Sequence, residues 1–524
     1  MSDKAKIGVA VNINTNSSSE KAVSLSSPGS NAPVTHAHSP FCIAVMGDFS
    51  GRLSHSKMHE EGRNQLRPIN IDRDNFEDVM SNFNIRLNLN LADKTSVSLE
   101  LNELDDFHPD ELYEKLESFS KLRNLRRRLK SSNGFADAAA EIQSWLPSSD
   151  VTDNKPVKAP LSDTSTTNPD SLTENILDDI FASSQELSYS ATTAEATNID
   201  KLIKSIVAPY AEPATDPRQD EMIAIVDKAI ESHMRNILHH PDFQAMEAAW
   251  QSLYFLIKRL ETDSKLKISV LDITKRELQD DLAVDDISSS SIYKLFCDTS
   301  EGDLPWSILL GNYRFTDNIE DVLSLANIGS IAHQANAAFI AAANETLAGC
   351  ESLAKTPDYE DWNHSISEGA SKAWTMLRQS SQASYIGLAL PRFLLRLPYG
   401  KKSKPIDSFV FEEIKNDNSH ESFLWGNAAF IKTECIARNF KNNGWGMRLN
   451  ETFQTDNLPT YYYLNDGETV NKPIAEIMLT EKGGEILREY GLTPLWSVRN
   501  LDSIRSTDYY SIAENSNILS GRWK

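Results

Sequence analysis

Two adjacent carboxylates with a histidine close behind them are a grouping that acid–base chemistry uses, and Asp105, Asp106 and His108 in ELDDFHPDEL supply it. Carboxyls of unlike pKa could act there as acid and base in a hydrolysis. The same residues stand immediately before Pro109, where Asp is expected as a helix cap and Pro in a first turn. Capping is the favoured reading, and a hydrolase using these three residues is its rival. Arg392 and Arg396 in PRFLLRLPYG could clamp an anion, but Leu394, Leu395 and Leu397 crowd them and favour a buried or interfacial ion pair. His239 and His240 are neighbours in sequence, so at a helix end they diverge, and a dipole-favoured histidine is expected there rather than a shared metal. His36 and His38 are explained by the composition of the tail that holds them. Trp425, Gly426 and Asn427 form an aromatic–glycine–polar triplet that could line a pocket or let two backbones approach closely, and with no nucleophile or base nearby packing is expected. The chain holds no GxxxxGK[ST], HExxH or GxSxG motif and no Cys/His set with zinc spacing. No catalytic, cofactor-binding or metal residues are therefore expected, and no cofactor.

The elements that would position these residues belong to a chain of 524 residues, too long for one ordinary core. Its formal net charge of -23 opposes a phosphate backbone, so nucleic acid is excluded as a partner. The one dense basic stretch is Lys121, Arg123, Arg126, Arg127, Arg128 and Lys130; Leu122, Leu125 and Leu129 interleave with it at helical spacing and mark a solvated helix face. Cys42, Cys297, Cys350 and Cys435 are widely separated and suit a reducing compartment. With no signal-peptide core and no apolar run long enough to span a bilayer, a cytoplasmic protein without membrane insertion is expected.

Residues 1–39, rich in Ser, Asn, Thr and Ala, read as a disordered tail. FCIAVMG from Phe41 is apolar on both faces, as a buried central strand must be. In FNIRLNLNL the residues Phe83, Ile85, Leu87 and Leu89 alternate with polar ones, and Val97, Leu99 and Leu101 repeat the alternation after a turn at Ala92–Lys94, which predicts a β-hairpin. One helix is expected from Pro109 to about Leu129 and another from Gly134 to Trp145. Residues 148–218 form an acidic, Ser/Thr-rich linker holding two short amphipathic pieces, ENILDDIFASS and IDKLIKSIV. From 219 a helix carries Met222, Ile225, Val226 and Ile230 on one face, and a second one starting at Pro241 carries Phe243, Met246, Trp250 and Leu253. Strand-like LKISVL, PWSILLG, YIGLAL, AEIMLT and PLWSV then alternate with helical ANIGSIAHQANAAFIAAA and NAAFIKTECIARNF. The expected fold class is α/β: an α+β module with a hairpin and helices over 40–147, and a mixed α/β module over 219–524.

These segments bring a resemblance with them. FCIAVMGDFSGR, RPINIDRDNF, FNIRLNLNL and LDDFHPDEL resemble the small subunit of the type VI secretion contractile sheath, over about residues 40–147. ILHHPDFQAMEAAWQSLYFLI, WSILLGNYRF, ALPRFLLRLPYG, FLWGNAAF, GWGMRL, NLPTYYYLNDGE and KPIAEIMLTEKGGEILREYGLTPL resemble the large subunit, in the family's order, over most of 165–520. The resemblance implies a non-enzymatic structural protein that joins a homo- or hetero-oligomer around an inner tube. Its implied partners are other sheath subunits, the tube protein and baseplate components, with a recycling AAA+ unfoldase left open. The family's large subunit continues beyond the part matching PLWSV, whereas this chain ends at Lys524; that departure sets a baseplate, accessory or regulatory subunit beside an ordinary sheath protomer as the expectation. Phe83, Ile85, Leu87, Leu89, Val97, Leu99 and Leu101 are the expected sheet-pairing surface between modules or subunits. Phe243 and Trp250, with Trp425, Gly426 and Asn427, are expected to stabilise the large module.

Overall fold

A computed structural model describes residues 39–52, 66–91, 96–131, 133–144, 206, 219–298, 305–415, 420–465, 467–507, 509–514 and 517–523. The expected tail of 1–39 lies outside these except for Ser39, as do the Ala92–Lys94 turn, Trp145, and the linker of 148–218 apart from Ile206. The described residues fall into two compact units, one made of residues up to Leu91, Ser96–Leu112 and Met234 onward, the other of Tyr113–His233.

The first unit is built on β1 (Phe41–Gly47), β2 (Ile69–Asn70), β3 (Ile85–Asn90), β4 (Ser96–Leu101), β5 (Leu266–Asp272), β6 (Trp306–Phe315), β7 (Ala338–Ala343), β8 (Ile386–Leu390), β9 (Phe393–Leu394), β10 (Trp425–Gly426), β11 (Phe453–Thr455), β12 (Tyr462–Asn465), β13 (Glu468–Asn471), β14 (Leu492–Pro494), β15 (Trp496–Ser497) and β16 (Ile504–Ser506). Seven of these make one sheet in the order β14-β8-β7-β6-β1-β5-β2. All its pairings are parallel except that of the short edge strand β2 with β5. β1 is buried at all seven residues because it lies between β5 and β6 with helices on both faces, which is why its sequence is apolar throughout rather than alternating. Its side chains divide by the period of two. Phe41 packs 4.7 Å from Phe440 of the helix Ala428–Asn443, while Ala44 and Met46 join Leu325 and Ile328 of the helix Ile319–Ala335 in the opposite core. The sheet thus takes strands from both stretches that the sequence marks off as 40–147 and 219–524.

The expected hairpin forms as β3–β4, with Ile85 opposite Leu101, Leu87 opposite Leu99 and Leu89 opposite Val97, and all six side chains buried. Phe83 is not part of it. It ends the helix Phe76–Asn82, and Asn84 at φ 47° reverses the chain before the strand begins. AEIMLT, expected as a strand, has no ladder partner, and PLWSV is divided between β14 and β15. The stretch expected as one helix from Ala326 to Ala343 ends at Ala335, where left-handed Asn336 caps it and releases β7.

In the second unit the helix Glu117–Lys130 buries Phe119, Leu122, Leu125 and Leu129. The single helix expected from Pro109 is broken at Leu116, whose extended backbone (φ -78°, ψ 132°) lets Glu117–Lys130 bury its own apolar stripe independently of the preceding turns. Ser118 and Phe119 meet His233, with Nε2 3.0 Å from the Ser118 hydroxyl and the rings 4.9 Å apart. Arg126 makes a two-pronged ion pair with Asp227, and Arg128 pairs with Glu141.

Candidate functional site

In the first unit the helix Pro241–Arg259 carries a joint between three parts of the chain. Its start follows from sequence: Pro241 fits the first turn, and His240 Nδ1 accepts the Asp242 N–H at 3.2 Å. His240 is therefore a cap for the following helix, not a metal ligand. One turn further on, Phe243 meets Phe107 edge-on at 5.5 Å. Trp250 has no exposed surface and stands edge-on to Phe49, Phe76 and Phe83 at 5.4, 5.7 and 5.4 Å. Its indole N–H donates to the Phe49 carbonyl at 3.0 Å, so the ring's one polar atom is satisfied inside an apolar cluster. Gly51, at φ 77°, lets the turn after β1 come down on the same helix, since a Cβ there would stand 3.0 Å from Leu87 and 3.1 Å from Met246. The expected residues Phe83, Leu87, Phe243 and Trp250 are thus placed around one helix. The hairpin residues Ile85, Leu89, Val97, Leu99 and Leu101 share the buried face of Leu87.

The same buried face, one turn before Trp250, holds an ion triad that the sequence only half disclosed. Arg396 lies between Glu247 and Glu413, with Nε 2.6 Å from Glu247, Nη1 2.8 Å from Glu413, and Nη2 bonded to both. All three side chains are nearly sealed from water, and the single Arg396 charge is shared by two carboxyls, so burial raises the Glu247 carboxyl above its ordinary range despite Arg396. Burial alone would raise the Glu413 carboxyl, but the Arg396 charge, with His239 and the Tyr399 N–H, holds it at about 2. Glu247 and Glu413 had no sequence signal, because only the fold brings residues 247, 396 and 413 together. Arg392 has its own acceptor in Glu476, with Nη2 at 2.6 Å, and His420 approaches the same carboxylate at 2.8 Å. Both arginines of PRFLLRLPYG are therefore ion-paired within the protein.

Trp425 stacks on His420 at 4.9 Å and its N–H donates to the His420 carbonyl at 2.9 Å. Gly426 pairs with Phe393 across β9 and β10, where a Cβ would approach Phe393 and Leu395 to 2.8 Å. Asn427 caps the helix Ala428–Asn443 by accepting the Ala429 N–H, and its amide donates to the Tyr313 carbonyl. The triplet packs, anchors and caps.

The groups that could have done chemistry are likewise engaged. Asp106 is buried and accepts the backbone N–H groups of Asn102 and Glu103, so it caps the short turn Leu104–Phe107 rather than the helix at Pro109. His108 Nδ1 accepts the Asp110 N–H, and its ring stands edge-on to Tyr399 at 5.0 Å; burial lowers its pKa. Beyond the carboxyl ends of β1 and β6, where open parallel sheets commonly bind ligands, is a cleft of about 250 Å³ lined by Asp48, Leu87, Met246, Lys275 and Arg314 among others. Its two cations are held by the protein, Lys275 by Asp321 at 2.7 Å and Arg314 by Glu345. The four cysteines are free, and burial pushes the thiols of Cys42 and Cys297 to about 11 and about 12. Among the described residues no group of three His, Cys, Asp or Glu could hold a metal, and no helix is long and apolar enough to cross a membrane.

Residues 220–511 match the VipB family, described as EvpB/VC_A0108, tail sheath N-terminal domain. Residues 31–161 match the type VI secretion system family VipA, VC_A0107 or Hcp2. The chain is similar to the type VI secretion system sheath protein TssC1 of Pseudomonas aeruginosa PAO1, with 32% identity over 293 residues, 54% of this chain. It spans 59% of that relative's length. β1 and the hairpin fall in the VipA-matching stretch, and β5 to β8 in the VipB-matching stretch. The chain belongs to the VipB tail sheath family and carries a VipA-family module on the same polypeptide.

Proposed function

We propose that this protein is a structural subunit of a bacterial type VI secretion sheath in which residues 40–147 and 219–524 act as small and large subunit, tethered through 148–218. The observation that carries the reading is β1, a strand of the VipA-like stretch hydrogen-bonded on both edges inside the sheet of the VipB-like stretch. Such a joint is permanent, and one polypeptide makes its stoichiometry one to one. A tether of this kind replaces a bimolecular encounter by an intramolecular one at roughly millimolar effective concentration. The internally paired charges described above suit a scaffold rather than an enzyme, and the protein would work in the cytoplasm. Its partners would be further sheath subunits, an inner tube protein, baseplate components and, for recycling, an AAA+ unfoldase.

Negative-stain electron microscopy of the purified chain, alone and mixed with sheath subunits from the same cell, tests this. Ordered tubes, or incorporation into tubes, are expected. Particles that never enter a tube would sink the sheath-subunit reading and leave an accessory or regulatory component.

A further inference from the structure

In a chain of net charge -23, the helix Glu117–Lys130 has six cations and one carboxylate in fourteen residues. Four of the cations are matched within the second unit or on neighbouring turns: Lys121 by Glu117 at 3.9 Å, Arg123 by Glu114, Arg126 by Asp227 and Arg128 by Glu141. Arg127 bonds only to the neutral oxygen of Asn124, and Lys130 is exposed with no carboxylate partner among the described residues. On the face opposite the buried leucines, Ser120, Lys121, Arg123, Asn124 and Arg127 line a groove of about 380 Å³. This surface is basic, extended along one helix, and suited to several carboxylates in series rather than to one small anion.

The same polypeptide contains a segment of matching chemistry. Residues 159–200 hold eight carboxylates, from Asp163 to Asp200, and no Lys or Arg. Glu174, Asp178 and Asp179 alternate there with Ile176, Leu177, Ile180 and Phe181, apolar groups that the alkyl stems of Lys121 and Arg127 can cover while their charged ends meet the acids. We propose that the basic face of Glu117–Lys130 binds this acidic stretch of its own chain. Eighteen residues separate Ser144 from Asp163, a reach of about 60 Å, against a helix about 21 Å long. Attachment so close to the groove raises the local concentration to roughly millimolar and favours binding within one copy over binding between copies. Each contact is exposed and individually weak, so the sum is salt-sensitive. The proposal stands independently of the sheath reading.

Digestion of the full chain with a Glu-specific endoproteinase tests it, with cleavage after Glu186 and Glu195 followed by mass spectrometry. Cleavage is expected to be slow at low salt. It should accelerate about tenfold or more in 0.5 M salt, where screening shortens to a few ångströms, and equally in the triple variant Lys121→Glu, Arg127→Glu, Lys130→Glu. Adding Glu174→Lys, Asp178→Lys and Asp179→Lys to that variant should restore slow cleavage. Equal rates in all four conditions would overturn the proposal, and the salt arm decides it even if a variant folds poorly. Protection that grows with protein concentration would overturn binding within one copy and place the contact between copies.

Discussion

At the scale of single residues, Trp250 and Arg396 act on neighbouring turns of one helix, Arg396 through Glu247, and stabilise it by opposite physics. Trp250 is held by burial and one satisfied hydrogen bond, so Trp250→Ala should cost about 3–5 kcal/mol in chemical denaturation. Trp250→Phe should cost less but leave the Phe49 carbonyl without its donor. Removing Arg396 is a different kind of damage, because it strands the carboxylates of Glu247 and Glu413 in a dry site. Arg396→Met should therefore lose about 3–5 kcal/mol, and adding Glu247→Gln with Glu413→Gln should recover part of that. Glu476 gives a pH signature. Burial would raise its carboxyl, but the His420 hydrogen bond and Arg392 outweigh this and hold it at about 2, below its ordinary 4.5. Its contribution is complete above about 4.5 and is lost as pH falls from there through about 2. An acid-unfolding series comparing the protein with Glu476→Gln should show a shallower loss in that window for the variant. Of these residues the sequence pointed to Trp250, Arg392 and Arg396, but their acceptors Phe49, Glu476 and Glu247 lie 201, 84 and 149 positions away and carry no local signal.

At the scale of elements, alternation and helical spacing were enough wherever an element has one buried face. Hairpin β3–β4 and the helices at 219–238, 241–259 and 428–443 lie where their patterns put them. The failures share one cause: a continuous apolar run does not reveal its own period. ANIGSIAHQANAAFIAAA is dominated by small apolar residues, and only the left-handed turn at Asn336 divides its helix from β7. Phe83 continued the alternation of the strand on paper, yet it closes the preceding helix because its ring is drawn onto Trp250. The close approach of β10 to β9 supplies a test: Gly426→Ala puts a methyl 2.8 Å from Phe393 and Leu395, and should lower stability by about 1–3 kcal/mol by thermal or urea unfolding without changing secondary-structure content.

At the scale of the whole molecule, the sheet makes the two family-matched stretches interdependent. Cutting the chain at a protease site inserted near residue 160 should leave both pieces bound through β1 in one gel-filtration peak under native conditions. Residues 219–524 produced alone should aggregate, because the absence of β1 exposes the facing edges of β5 and β6. Recovery of a stable, monomeric 219–524 fragment would show that the central strand is dispensable.

The sequence by itself determined the fold class, the apolar character of β1, the hairpin and the faces of the main helices, because each of these is written in local period or composition, and its motifs carried the resemblance to sheath proteins. Tertiary structure alone decided that β1 lies between β5 and β6, that Arg396 bridges two buried carboxyls, and that Trp250 gathers three phenylalanines. Those are contacts between residues separated by up to 265 positions, as from Cys42 to Ser307, and their energy comes from excluding water from both partners at once. Neither partner's own neighbourhood records that energy.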